Sequence, residues 1–154
     1  MDRYKFRGKR LDNGEWVEGY YLKYDETESE QCAEDFFDIT KDITKDYIQV
    51  YSHFDCSHDH LHEVDGSTVG QYTGLRDNNG VDIYEGDVVK TVALLNDHNQ
   101  RGATSKVIVR YYNGGYCLCF EGYESGTAIQ SSFLVSHEIE IIGNIHDNKE
   151  LLQQ

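Results

Sequence analysis

Between Val69 and Lys90 the chain reads VGQYTGLRDNNGVDIYEGDVVK, and this stretch restricts the possible folds more than any other. A polar-apolar alternation runs into Asp77-Asn78-Asn79-Gly80, and Tyr84-Glu85-Gly86-Asp87 releases directly into Val88-Val89. Residues that tolerate positive φ stand where the chain must reverse, and branched apolar residues stand where a strand must pack. There is no proline in the 154 residues, so every reversal falls to the 14 glycines and to Asn and Asp. This chemistry predicts short strands joined by tight turns, hence a mainly β fold with little helix.

The same grammar recurs on both sides. Tyr4 and Phe6 alternate with Arg3, Lys5 and Arg7, which predicts apolar side chains facing a core and cations facing water. Asp12-Asn13-Gly14 then turns the chain into Glu15–Leu22, an amino-terminal hairpin with Trp16 as a packing anchor. Towards the carboxyl end, 106–112 and 116–120 flank Asn113-Gly114-Gly115 as a second hairpin, and 136–145 forms the closing strand. Residues 96–105 and 122–130 read as loops, and Asp147 is placed to cap a last turn.

The signature run, together with YKFRGKRLDNGEWVEGYYL at the start and IEIIGNIHDNKELL at the end, closely resembles the YopX family of small all-β phage and prophage proteins. The residues that carry the resemblance are Gly70, Tyr72, Thr73, Gly74, Leu75, Asp77, Gly80, Tyr84, Glu85, Gly86, Asp87, Gly143 and Asn144. It implies one family domain over 1–154 and no catalytic residue. Two departures loosen turns: Gly66-Ser67 stand where the family carries a proline and an acidic residue, and Lys149 stands at another proline position. Within 1–154 the composition suggests two subdomains. One is 1–65, a hairpin plus an acidic, His-rich segment. The other is 66–154, whose turn, strand, hairpin and closing strand look like a small SH3-like barrel, a fold that hosts unrelated functions.

Net charge is −14 and is unevenly distributed. Residues 1–10 hold five cations against Asp2, leaving 9 basic and 27 acidic groups in 11–154. An acidic body argues against direct nucleic-acid binding, which needs clustered Lys and Arg. The basic end invites contact with the acidic surface of another copy, a homo-oligomer. Mean hydropathy is −0.66, no apolar run approaches the roughly 18 residues a membrane helix needs, and the charged amino terminus is no secretory signal. The expectation is a phage- or prophage-encoded protein in the bacterial cytoplasm, with its four cysteines reduced. Cys117 and Cys119 fall on one face of their strand.

From Asp25 to Asp65 there are 13 acidic residues against Lys41 and Lys45. A short helix near 28–37 is suggested by the i,i+4 pairs Cys32/Phe36 and Ala33/Phe37, with a charged loop as the alternative. Strand character returns at 46–54. Cys56, His58, His60 and His62 then lie among carboxylates; a solvent-exposed polar turn without cofactor is the preferred reading, with a zinc or nickel site and then a pH-responsive loop behind it. Carboxylate pairs such as Asp82/Glu85 and Glu138/Glu140 could act as acid and base, yet no G-x-S-x-G, phosphate loop or HExxH is present. Twelve tyrosines, many on strands, point instead to a protein that acts by contact with an as yet unspecified partner. The alternatives are a metal-binding protein or enzyme using 53–62, and an acidic DNA mimic that blocks a host nucleic-acid-binding protein.

Overall fold

A computed structural model describes residues 4–30, 39–50, 61–94, 101–122, 127–128 and 137–152. Ten strands and one 3-10 turn, Lys149–Leu152, occupy most of them. The strands are β1 (Phe6–Arg10), β2 (Trp16–Glu30), β3 (Ile39–Gln49), β4 (Leu61–Arg76), β5 (Asp82–Tyr84), β6 (Asp87–Leu94), β7 (Arg101–Tyr112), β8 (Gly115–Cys119), β9 (Thr127–Ala128) and β10 (His137–Asn144). They make two antiparallel sheets, ordered β1-β2-β3-β4-β5, with a further β1–β4 pairing, and β10-β6-β7-β8-β9. The chain divides into two compact units, one of residues 4–69 and one of residues 70–154 with 1–3. A single strand, β4, carries the backbone through positions 65 and 66 and across that division.

In the amino-terminal unit the first reversal forms as its residues demand, with Gly14 at φ 72°. The register Phe6↔Gly19 to Lys9↔Trp16 puts Gly8 against Ile48 and Val64, both buried, so a β-carbon at Gly8 would crowd two core side chains. Phe6 packs on Tyr21 with ring centroids 5.5 Å apart. Tyr4 does not join this core and is exposed, because β1 begins only at Phe6 and the expected alternation does not reach back to it.

The acidic stretch departs most from expectation. Residues 28–30 are strand, not the start of a helix, and β2 and β3 pair without interruption from Tyr20↔Gln49 to Glu30↔Ile39. Cross-strand pairing 9 to 29 residues away in sequence outweighs the local i,i+4 signal, whose other members lie outside the described residues. Gly66-Ser67 likewise lie within a strand and form no reversal. Glycine is needed there for room: a β-carbon at Gly66 would overlap the Asp46 carboxylate, which accepts the Tyr21 hydroxyl on its other oxygen.

The carboxyl-terminal unit holds the core cluster of Ile83, Val89, Val107, Val109, Leu118 and Ile139. Its hairpin β7–β8 closes on Asn113 and Gly114, at φ 49° and 84°, the two-residue turn with positive φ at both positions. Strand β7 already runs from Arg101, so the 101–105 part of the expected loop is ladder, paired to Thr91, Val92 and Leu94. Cys117 and Cys119 share a buried face with their Sγ atoms 3.2 Å apart, and burial pushes the Cys119 thiol up to about 11. The last turn is capped by Asn148, whose carbonyl receives the Leu151 N–H, while Asp147 accepts a bond from Asn144 Nδ2.

Two outcomes follow. Burial and the neighbouring Asp46 carboxylate raise the Tyr21 phenol to about 12, above its ordinary value near 10. Below pH 10 the phenol is protonated in both states; between about 10 and 12 the unfolded chain releases the proton first, so stability declines with rising pH. Denaturant titrations across that window will show a flatter alkaline limb for Tyr21→Phe than for the parent, and superimposable limbs would remove the assignment. Secondly, iodoacetamide at pH 8 will label Cys117 and Cys119 only after denaturant is added, which peptide mapping of native and unfolded protein measures; native labelling of either would contradict their burial.

Candidate functional site

The residues that carry the family resemblance come together in the carboxyl-terminal unit, and their side chains are occupied in holding backbone. Asp77 is buried; its Oδ1 accepts the N–H groups of Asn79 at 2.8 Å and Val81 at 2.9 Å, and its Oδ2 accepts that of Ile141 at 3.2 Å. Asn78 completes the attachment to β10: its N–H donates to the Ile139 carbonyl at 3.0 Å and its Oδ1 accepts the Ile139 N–H at 2.6 Å. One turn thus bonds two alternate residues of a strand some 60 positions away, with Gly80 at φ 81° closing it.

The Tyr84–Asp87 reversal repeats the device. Asp87, fully buried, accepts the Tyr84 N–H at 2.8 Å, and Gly86 turns at φ 83°. The Glu85 N–H reaches the Gln71 carbonyl, the Gly86 N–H the Val109 carbonyl, and the Ile145 N–H the Gly86 carbonyl. Gly70 has no room for a side chain beside the Glu85 carbonyl, Thr73 donates to the Ile83 carbonyl at 2.8 Å and accepts the Leu75 N–H, and Tyr72 packs on Tyr84. Gly74, at φ 83°, accompanies an irregularity in the β4–β5 register. At the closing strand, Asn144 Oδ1 accepts the N–H groups of His146 and Asp147, and Gly143 leaves the space that Asn148 and Leu151 fill.

Of the histidine cluster, Cys56, His58 and His60 lie outside the described residues; His62 is half-buried on β4 opposite Ile48. Among the described residues no group of three or more His, Cys, Asp or Glu is placed to hold a metal. Asp82 is tied to Arg76 at 2.7 Å, and Glu85 Oε1 accepts the Tyr111 N–H at 3.1 Å. Glu138 and Glu140 border a depression of about 310 Å³ with Asn78, Asn79, Lys90 and Ile139. It lies directly over the Asn78 attachment.

A different feature was only half visible in the sequence. Every second residue of β2 from Trp16 to Tyr24 shares one face, and the register adds Lys45, Tyr47 and Gln49 from β3 and Leu61 and Glu63 from β4. Tyr20, Tyr24 and Leu61 on that face are 46%, 50% and 41% exposed, and Tyr24 meets Tyr47 edge-on at 5.8 Å. The Arg7 guanidinium lies 4.8 Å from the Trp16 ring centre and the Lys9 ammonium 5.8 Å. The cations of the first strand are therefore engaged at home: Lys5 pairs with Glu18, Arg10 with Asp12, and Arg7 stacks on Trp16. Tyr24 and Leu22 carried the signal, a strict alternation that continues past the first hairpin.

Known proteins place these turns in a wider setting. No curated protein matches the chain. The crystal structure of protein EF1440 from Enterococcus faecalis is similar to it at 24% identity, covering 96% of each chain with a TM-score of 0.48. The family model described as YopX protein matches residues 5–153. Because that match takes in both tight hairpins, the two carboxylate-held turns and the closing strand, the chain belongs to the YopX family.

Proposed function

We propose that this chain is a phage or prophage accessory protein of the host cytoplasm that works by contact with proteins, including copies of itself, and catalyses no reaction. The observation that carries this reading is the exposed aromatic face of β2, β3 and β4. Tyrosine and tryptophan offer large, rigid, amphipathic area, and interfaces concentrate them together with arginine. Here Tyr20, Tyr24 and Leu61 stand in solvent beside Trp16 and its stacked Arg7. Three carboxylates of the signature run, by contrast, are committed to backbone: Asp77 and Asp87 hold turns, and Glu85 holds the Tyr111 N–H.

The carboxyl-terminal unit fits an SH3-like barrel within this reading. Its sheet order, β10-β6-β7-β8-β9, is a meander whose last long strand returns beside the first. The reversal at Glu85–Gly86 leads into β6 as such a barrel requires. A scaffold of this kind leaves recognition to its surface.

Sedimentation velocity at micromolar concentration tests the reading. The parent protein will sediment as an oligomer, and the double substitution Tyr20→Ser, Tyr24→Ser will weaken association about tenfold or more, the effect of truncating an interface aromatic. A monomer at every concentration, with a normal fold by circular dichroism, would contradict self-association.

A further inference from the structure

Three asparagines in the chain are followed directly by glycine: Asn13-Gly14, Asn79-Gly80 and Asn113-Gly114. Such a step carries its own reactants, because the side-chain amide carbon is an electrophile and the next backbone nitrogen a nucleophile that can close on it as a cyclic imide. Glycine leaves that nitrogen unshielded, since it has no β-carbon. The amide must swing over the nitrogen to react, so hydrogen bonds that hold either group oppose the reaction.

Two of the three steps are held. At Asn13, Oδ1 accepts the Glu15 N–H and Nδ2 donates to Glu15 Oε2, both at 2.9 Å, while the Gly14 N–H donates to the Arg10 carbonyl at 3.0 Å. At Asn79 the nucleophile itself is engaged, the Gly80 N–H donating to the Asp77 carbonyl at 3.0 Å. The Asn79 and Val81 N–H groups on either side of it donate to Asp77 Oδ1. The third step differs. Asn113 and Gly114 are the two loop residues of the β7–β8 hairpin, whose ladder ends at Tyr112↔Gly115. Both are exposed, and among the described residues neither the Asn113 side chain nor the Gly114 N–H has a hydrogen-bond partner. A β-carbon added at Gly114 would meet nothing within 4 Å, so the amide has space to turn over the nitrogen.

We infer that Asn113 is a site of spontaneous deamidation, and that hydrogen bonds withhold the same reaction at Asn13 and Asn79. The Gly114 nitrogen gives its proton to solvent base and bonds to the Asn113 side-chain carbon, and the amide nitrogen leaves as ammonia. Water then opens the imide. Opening at the side-chain carbonyl gives aspartate; opening at the main-chain carbonyl gives isoaspartate, with the chain running through the side-chain carbon. Either product adds one negative charge to a chain of net charge −14. Isoaspartate also lengthens the loop backbone by one carbon, which a two-residue turn with positive φ at both positions does not accommodate. The tip it loosens bears the Tyr111–Tyr116 ring contact at 5.2 Å and the Tyr111 N–H bond to Glu85. Loss of ammonia to solvent runs one way, so the hairpin tip records the age of the molecule.

The test follows the intact protein at pH 8 over time, with trypsin placing the three steps on separate peptides, 11–23, 77–90 and 111–149. Mass spectrometry reads each conversion as a gain of about one dalton, and fragmentation assigns the residue. In the folded protein Asn113 will convert at least about tenfold faster than Asn13 or Asn79, since each bond that must break adds to the barrier. In guanidinium chloride the three rates will converge, because the unfolded chain makes none of these bonds. Conversion of Asn13 or Asn79 as fast as Asn113 in the folded protein would overturn the assignment. So would a lead for Asn113 that persists unchanged in guanidinium chloride, which would trace the selectivity to neighbouring residues and not to the fold.

Discussion

The carboxylate of Asp77 is the interaction on which the carboxyl-terminal unit depends. It lies buried and accepts three backbone N–H groups, two within its own turn and one from Ile141 on β10. Hydrogen bonds to an ionised acceptor are stronger than neutral ones, and a buried amide left without a partner costs about 1–3 kcal/mol. Asp77 therefore does more than permit a reversal. It fixes the turn and joins it to the strand that closes the sheet, alongside the two bonds that Asn78 makes with Ile139. Ile139 in turn packs with Val89, Val109 and Leu118, so the polar attachment and the apolar core set the same register.

The absence of proline gives this device its importance. A chain without pre-set φ angles loses more freedom at each turn. Here side-chain acceptors supply the missing constraint. Asp87 does so for the Tyr84 turn, Asn144 and Asn148 for the end of β10, and Asn13 for the first hairpin by accepting the N–H two residues ahead. Each satisfies an amide that would otherwise be stranded where a strand stops. The family residues are in this sense a set of fasteners.

Local chemistry was legible in the sequence wherever it decided the outcome. Gly14, Gly80, Gly86 and the Asn113-Gly114 pair all take positive φ where the sequence places reversals, and strands run between them. What escaped the reading depended on distant partners. The acidic part of β2 has residues poor in strand propensity, and its ladder to β3 is specified by pairing across the chain, not by its own composition. Gly66 resembled a turn glycine but serves the Asp46 carboxylate 20 positions earlier. The structural use of Asn78 and Asn148, and the aromatic face that continues to Tyr24, likewise became apparent only from the register.

Amide hydrogen exchange tests the central claim, that a carboxylate-held turn fastens β10 to the rest of its unit. The amides of Val81, Ile139 and Ile141 will exchange as slowly as those of Val89 and Val109 in the core, because releasing them requires the whole unit to open. In Asp77→Ala, the Val81 and Ile141 amides will lose that protection ahead of the core. Exchange of these amides at the rate of an open loop in the parent protein would show that the turn merely rests beside β10 and that the sheet closes by other means.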